Sequence, residues 1–440
     1  MAKRRRFPKI FFGWWIVLAT GFVNFWGHGF YTQGISAMFK PISAELGLTR
    51  AATSVASSIG RFEGGVEGPL TGWITDKFGP KWVILFGCFL IGLGLILMYF
   101  VNSLWAFYVV WGGITATGLN VGLAIPIDKT ISNWFVKKRG TALGVRAIFQ
   151  GMATIAVLPF IAWLLGRLDW RMTCVVGGAV MWLVGLPLIW FLVKQKRPEY
   201  YGLLPDGATV EAELASDTGR MITRGMEYAA GVQEVEFTLR QAMKTPAYWL
   251  LILASAIGNL VTSPIMLHYM PFLTDMGIDP VKAALMLSSA GAIAIPTRLF
   301  AGFLADRFKK HQLRFIPMGT YLIIAAGVIS FLLNQTITMA YVFLIMFYIG
   351  FTAGVPLNTA IRARYFGRKS LGSIQGVTTM IMLPFGVVAP VYVGWIYDTT
   401  GSYISAFRLF PVLLAFSAIL VLFARPPKPP AQVSDVHKFL

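Results

Sequence analysis

Gly72-Trp73-Ile74-Thr75-Asp76-Lys77-Phe78 returns 230 positions later as Gly302-Phe303-Leu304-Ala305-Asp306-Arg307-Phe308, and each copy follows about twenty largely apolar residues. A short acidic-basic turn at equivalent points of two hydrophobic halves is the trace of a duplicated membrane bundle. Composition agrees: of 440 residues 56% are hydrophobic and 13% charged, with mean hydropathy +0.66. Side chains so poor in polar groups cannot cover a water-facing surface, so the bilayer is the solvent.

Apolar runs predict twelve spans near 11–33, 51–73, 81–100, 105–127, 140–165, 171–193, 247–270, 281–304, 314–333, 337–360, 372–396 and 403–423. Lipid supplies no partner for a peptide group, and no ten-residue alternation marks a barrel, so the spans are helices. The expected fold is an all-α membrane protein of two pseudo-symmetric six-helix bundles, 1–193 and 247–424, joined by a linker at 194–246 and followed by a tail at 425–440. A second repeat supports this: Asn133-Trp134-Phe135 before the fifth span pairs with Arg364-Tyr365-Phe366 before the eleventh, and a basic pair follows each. Pro198, Gly202, Pro205, Gly207 and Gly219 break up the linker, whose end, Glu236 to Met243, has the spacing of an interfacial helix.

With the N-terminus inside, 28 of the 38 Lys and Arg fall in cytoplasmic segments and six (Lys40, Arg50, Arg167, Arg171, Lys282, Arg408) on the other side. This bias places both termini in the cytoplasm. The net charge of +19 flanks spans and forms no single basic face, which fits topology and anionic lipid and not nucleic acid. The basic start before a long apolar run without an Ala-x-Ala site reads as the anchor of the first helix, and a prokaryotic inner membrane is the expected location. Cys88 and Cys174 sit in separate helices and offer neither a disulfide framework nor a metal site. No phosphate loop, His-Glu-x-x-His or Gly-x-Ser-x-Gly occurs, so neither an enzyme nor a cofactor is expected.

Charges inside a span mark function by default, and Arg61, Glu63, Glu67, Asp128, Arg146 and Arg298 lie inside. Gly60, Gly64, Gly68 and Gly72 form a smooth ridge for close packing, with Glu63 and Glu67 on an adjoining face. Either glutamate could exchange a proton, or Arg61, Glu67 and Arg146 could form a static lock. His28 and His268 could titrate near neutrality or simply pack. Asp128 and Arg146 share a depth and suit a structural or gating pair; Asp76, Lys77, Lys81, Asp306 and Arg307 suit gate contacts. Arg298 lies two turns before Asp306, roughly 12 Å along the helix, and its forked donors match a carboxylate. Asn120, between Gly118 and Gly122, and Tyr31 could add polar contacts.

Gly72, Asp76, Lys77, Gly79 and Lys81 fit the pattern Gly-x-x-x-Asp-Arg/Lys-x-Gly-x-Arg/Lys, and Gly302, Asp306 and Arg307 fit its second copy, where Lys309 replaces the glycine. In this the chain resembles the major facilitator superfamily over about residues 10–425. A narrower resemblance, to monocarboxylate transporters and the bacterial oxalate/formate antiporter group, rests on Gly13-Trp14-Trp15, Arg197-Pro198-Glu199, Pro205-Asp206-Gly207, His268-Tyr269-Met270-Pro271-Phe272, Arg298 and Tyr365-Phe366-Gly367-Arg368-Lys369. In those relatives the arginine at the position of Arg298 binds the substrate carboxylate. Ala294 stands where an aspartate commonly accompanies it, Gln33 where some relatives have lysine, and Thr378, Thr379 and Met380 where oxalate carriers have a second cation, so a monoanion fits better than a dianion.

The resemblance implies a monomeric alternating-access carrier of a small organic monocarboxylate, moved with a proton. Arg298 would bind the carboxylate, Asn120, Gln33 and Tyr31 would complete its contacts, and His268 and Phe351 would shape the cavity. Glu63, Glu67 or His28 would take the proton. Anion exchange is the alternative within transport; a receptor signalling through the linker is the alternative outside it.

Overall fold

In the computed structural model, residues 11–46, 50–208, 217–230 and 235–429 are described. Among them there is no strand, and twelve long helical segments follow one another. These are α1 (12–45), α2 (Arg50–Phe78), α3 (Pro80–Phe100), α4 (Leu104–Trp134), α5 (Arg139–Leu165) and α6 (Trp170–Leu192), then α7 (Pro246–Asp275), α8 (280–307), α9 (Phe315–Leu333), α10 (Ile337–Phe366), α11 (Leu371–Thr400) and α12 (Ile404–Phe423). Each of α3 to α12 is long and apolar enough to cross a membrane. Several helices outrun their apolar stretch: α1 continues to Glu45 and α10 to Phe366. Hydropathy marks the thickness of the bilayer, whereas a helix ends only where its caps end it.

Contacts divide the chain into two compact units, Met1–Gly60 with Phe78–Gln233, and Arg61–Lys77 with Glu234–Leu440. Most of α2 is therefore grouped with the second unit. Inside the first unit α1 packs on α5, and α3 on α4 and α6; inside the second α7 packs on α11, and α9 on α10 and α12. The same pairings recur six helices later, which is the repeat of the sequence written in packing. The second unit has an aromatic core in which Phe272 meets Phe331 and Phe407 with ring centroids 5.1 and 5.0 Å apart. In the linker, Thr218–Ala230 folds as a helix of the first unit, with Gly225 close against Glu199, and Leu239–Met243 as a helix of the second, opened by a capping box between Thr238 and Gln241.

Glycines set the approach of α2 to α11. A Cβ on Gly68 would fall 2.8 Å from the Gly376 carbonyl oxygen, and Gly72 is closed off by the Gly372 carbonyl in the same way. Two small-xxx-small ridges thus meet backbone to backbone. At the end of this seam the Asp76 carboxylate accepts from the N–H groups of Gly372 (3.1 Å) and Ser373 (2.7 Å) and from the Ser373 hydroxyl (2.5 Å), satisfying the start of α11. The first unit shows a counterpart. Asp206, held at φ 62° in the turn Pro205–Gly207, accepts from the N–H groups of Val136 (3.1 Å), Lys137 (2.8 Å) and Lys138 (2.9 Å) just before α5. Helices α5 and α11, equivalent in the repeat, each begin against a carboxylate brought from a distant segment.

Gly376→Val is expected to destabilise the protein by about 1–3 kcal/mol through overpacking, whereas Leu70→Ala, at a side chain 59% exposed, leaves it nearly unchanged. Thermal unfolding in detergent checks this; equal melting temperatures for wild type and Gly376→Val would refute the close crossing.

Candidate functional site

In the first unit the polar groups organise around a break in α4. Ala124 leaves the helical region (φ −109°, ψ −90°) and Pro126 follows, so the Leu123 carbonyl has lost its helical partner. Asn24 of α1 donates to it at 2.9 Å and Arg146 of α5 at 2.7 Å. Arg146, 8% exposed, also lies 3.3 Å from the Asp128 carboxylate. Its charge reaches His28, one turn beyond Asn24. Lys129 is buried beside Asp128 at 6% exposure. The Leu123 carbonyl therefore joins α1, α4 and α5, and one guanidinium closes a broken backbone and neutralises a carboxylate together.

Tyr31 lies in a wide π turn of α1, Gly29–Gln33; the turns Tyr108–Thr115, Ala153–Val157 and Met181–Gly185 are similar, and all four fall in the first unit among the described residues. Such turns leave carbonyls unpaired and re-aim the residues after them. In α4 the Thr115 hydroxyl donates to Val110 O at 2.8 Å, across the wide turn. The Tyr31 ring stacks on Trp111 at 5.3 Å, its hydroxyl closes over Gly60, and Asn120 donates to the Gly60 carbonyl at 2.8 Å. The side chains of Gln33 and Arg61 lie outside the described set.

The second unit holds a cavity of about 140 Å³ among α7, α9, α10 and α11. Ser255, Asn259, Thr262, Tyr321 and Asn358 give it polar walls, and Phe351, stacked on Phe347 at 5.5 Å, an apolar one. Ser255 donates to Leu251 O at 2.8 Å and Thr262 to the Asn259 side-chain oxygen at 3.5 Å. The Asn358 carboxamide and the Asn259 amide nitrogen make no hydrogen bond with a described residue, so they present open donors and an acceptor to the cavity. Arg362, one turn beyond Asn358, acts electrostatically on Tyr321. The arrangement can hold a small polar solute and favours an anion.

Other residues singled out in the sequence sit around this frame. Arg298 is partly buried on α8, five residues past the interruption at Ile293; it is engaged by neighbours and does not line the cavity. His268 donates through Nε2 to Pro390 O at 3.0 Å, and its ring lies 5.6 Å from that of Tyr403. Glu63 and Glu67 are partly buried and engaged, as is Asp306. Lys77 lies over the Trp73 ring at 4.7 Å and Arg307 over Phe303 at 4.4 Å, a stack repeated between the halves. Lys81 donates to Trp190 O at 2.7 Å. Cys88 and Cys174 are buried, and no metal-ready group of His, Cys, Asp and Glu occurs among the described residues.

Asn259, Asn358, Tyr321, Arg362 and Lys129 escaped the sequence reading. Asn358 and Arg362 stand four residues apart in an apolar run, an amide and a cation on one helix face, and that spacing was the available signal.

The family model of the Major Facilitator Superfamily matches residues 17–390. Monocarboxylate transporter 13 of Bos taurus is 25% identical over 432 residues, covering 96% of this chain and 91% of the relative. Monocarboxylate transporter 12 of Xenopus laevis is 24% identical over 421 residues, covering 94% and 88%. Among solved structures, a proton:xylose symporter bound to 6-bromo-6-deoxy-D-glucose aligns with TM-score 0.70 at 13% identity over 93% of this chain and 94% of its own, and the human organic anion transporter MFSD10 with TM-score 0.66 at 13% identity over 92% and 98%.

Asp128→Asn strips the buried Arg146 of its carboxylate and is expected to cost about 3–5 kcal/mol. Adding Arg146→Met should recover part of that loss. A double-mutant cycle on thermal or denaturant unfolding measures the coupling, and additive effects would show the pair to be energetically idle.

Proposed function

Because the chain belongs to the Major Facilitator Superfamily and is a membrane transporter, not an enzyme, we propose that it carries a small organic monocarboxylate by alternating access, together with a proton. The observation that carries the substrate reading is the cavity of the second unit. At about 30 Å³ per water-sized group, its 140 Å³ suits a solute of roughly five heavy atoms. Its lining has no acid, it offers two carboxamides, and a cation lies one turn away. The names of the relatives, monocarboxylate transporters, point the same way.

On this reading Arg298 binds the carboxylate, Asn120, Gln33 and Tyr31 are further polar contacts and Phe351 is an apolar wall; of these Phe351 lines the cavity and Arg298, Asn120 and Tyr31 do not, so Arg298 meets the carboxylate at a step other than occupation of this cavity. His268 supports the site through the α11 backbone. Glu63, Glu67 or His28 takes the proton. Asp76, Lys77, Lys81, Arg61, Asp128, Arg146, Asp306 and Arg307 serve gating and packing. The Lys and Arg distribution puts both termini in the cytoplasm. The relatives above are vertebrate proteins, so the prokaryotic inner-membrane reading rests on the sequence pattern alone. The carrier acts as a monomer, with its solute, protons and lipid as partners and no nucleic acid.

Uptake of labelled lactate into proteoliposomes under an inward-acid gradient tests the proposal. Arg298→Ala is expected to lose uptake by about 10- to 100-fold, the value of a charged hydrogen bond, and Glu67→Gln to lose only the pH drive if that residue takes the proton. Counter-substrate acceleration without a pH drive would move the reading to exchange. No uptake by folded wild type of lactate or of other small monocarboxylates would sink it.

Asn358→Leu should raise the apparent KM about tenfold without lowering the melting temperature; an unchanged KM would detach the cavity from the substrate.

A further inference from the structure

A second, larger hollow opens on the outside of the first unit, where lipid lies. Between α3 and α6 runs a groove of about 630 Å³ whose walls are almost wholly apolar. Trp82, Phe86 and Phe89 form one side and Trp182, Trp190 and Phe191 the other. The far end is closed by Phe89 and Trp182, stacked at 5.5 Å with the indole N–H donating to Phe89 O at 3.0 Å. At the near end Trp82 and Trp190 meet edge to face at 5.7 Å. From Trp82 to Phe89 the helix rises roughly 10 Å, the length of the upper part of an acyl chain.

The mouth at the Trp82 end is cationic. Lys81 donates to Trp190 O at 2.7 Å and lies 5.1 Å from the Trp190 ring. Lys194, just past the end of α6, acts electrostatically on Lys81 and lies over the rings of Phe12 (5.4 Å) and Tyr201 (5.9 Å). Neither ammonium group forms an ion pair with a described carboxylate. Two like charges act on each other, and no described carboxylate is paired with either.

We propose that this groove binds an anionic phospholipid, with its phosphate bridging Lys81 and Lys194 and one acyl chain lying between α3 and α6. A bridging anion turns the repulsion of the two lysines into attraction, and basic pockets between membrane helices at the headgroup level select anionic lipid. Trp82 and Trp190 lie at the lysine end of the groove, and indole rings favour the headgroup level of a bilayer. A flexible chain follows walls of bulky rings, whereas a partner helix needs a ridge of small residues to approach closely.

Native mass spectrometry of the full chain, reconstituted with phosphatidylglycerol or with phosphatidylcholine of the same acyl chains, tests the site. Wild type is expected to retain one phosphatidylglycerol about tenfold more than phosphatidylcholine. Lys81→Gln with Lys194→Gln should abolish that preference, Lys81→Arg should keep it, and Leu186→Trp, which fills the groove and leaves the charges, should lose both lipids. Equal retention by wild type, a preference that survives the double glutamine variant, or retention unaffected by Leu186→Trp would each overturn the proposal. Occupation of the groove by a second protein chain, seen as its mass and as cross-links to Trp182→Cys, would overturn it as well.

Discussion

Every peptide group inside the bilayer must find its partner within the protein, and the polar architecture of this chain follows from that constraint. Where a helix runs unbroken the constraint is met locally. Where it breaks, a side chain from another helix has to enter. The Leu123 carbonyl, freed by the break at Ala124, calls in Asn24 and Arg146. Pro390 deprives Gly386 O of its donor, and the Ser263 hydroxyl replaces it at 2.8 Å. His268 bonds a carbonyl of the same stretch of α11, and since Pro390 O can only accept, the proton sits on Nε2.

The two units share pairings and differ in how their helices are interrupted. The first combines wide π turns with prolines such as Pro126; the second has no π turn among the described residues, while α10 carries Pro356 and α11 carries Pro384 and Pro390. A wide turn rotates everything beyond it, whereas a proline deletes one donor and leaves direction largely to its neighbours. Duplicated halves that pack alike can therefore present dissimilar polar surfaces, as the charged cluster around Arg146 and the amide-lined cavity around Asn358 do.

The fold class was legible because hydropathy over twenty residues and a repeated loop are averages over many side chains, insensitive to any one of them. The helix ends were less so: nothing apolar marks the continuation of α1 to Glu45 or of α10 to Phe366. A tenth span that stops near 360 leaves Arg362 outside it, whereas the helix carries it as far as Phe366. In the site, sequence reading drew attention to charges, which stand out in an apolar run. Asn259, Asn358 and Tyr321 do not stand out, because one neutral polar residue in a membrane helix is ordinary, and only the convergence of four helices makes a cavity of them. Lys129 was hidden by its neighbour Asp128, and its burial close after the α4 break is a matter of packing that Pro126 alone does not announce.

The contact between Gly68 and Gly72 on α2 and Gly376 and Gly372 on α11 is made by backbone alone. The glycines themselves put no side chain into it, while Leu383 of α11 packs over Gly65 and Thr379 beside Gly68 farther along, and Asp76 is a polar anchor at its end. The same absence narrows the chain's evolutionary freedom unevenly. Leu70 and Trp73, facing outward beside the seam, can drift among apolar residues, while the glycines next to them admit essentially one letter of the alphabet. Along α2 the rate of accepted change should therefore follow the turn of the helix, slow on one stripe and fast on the next.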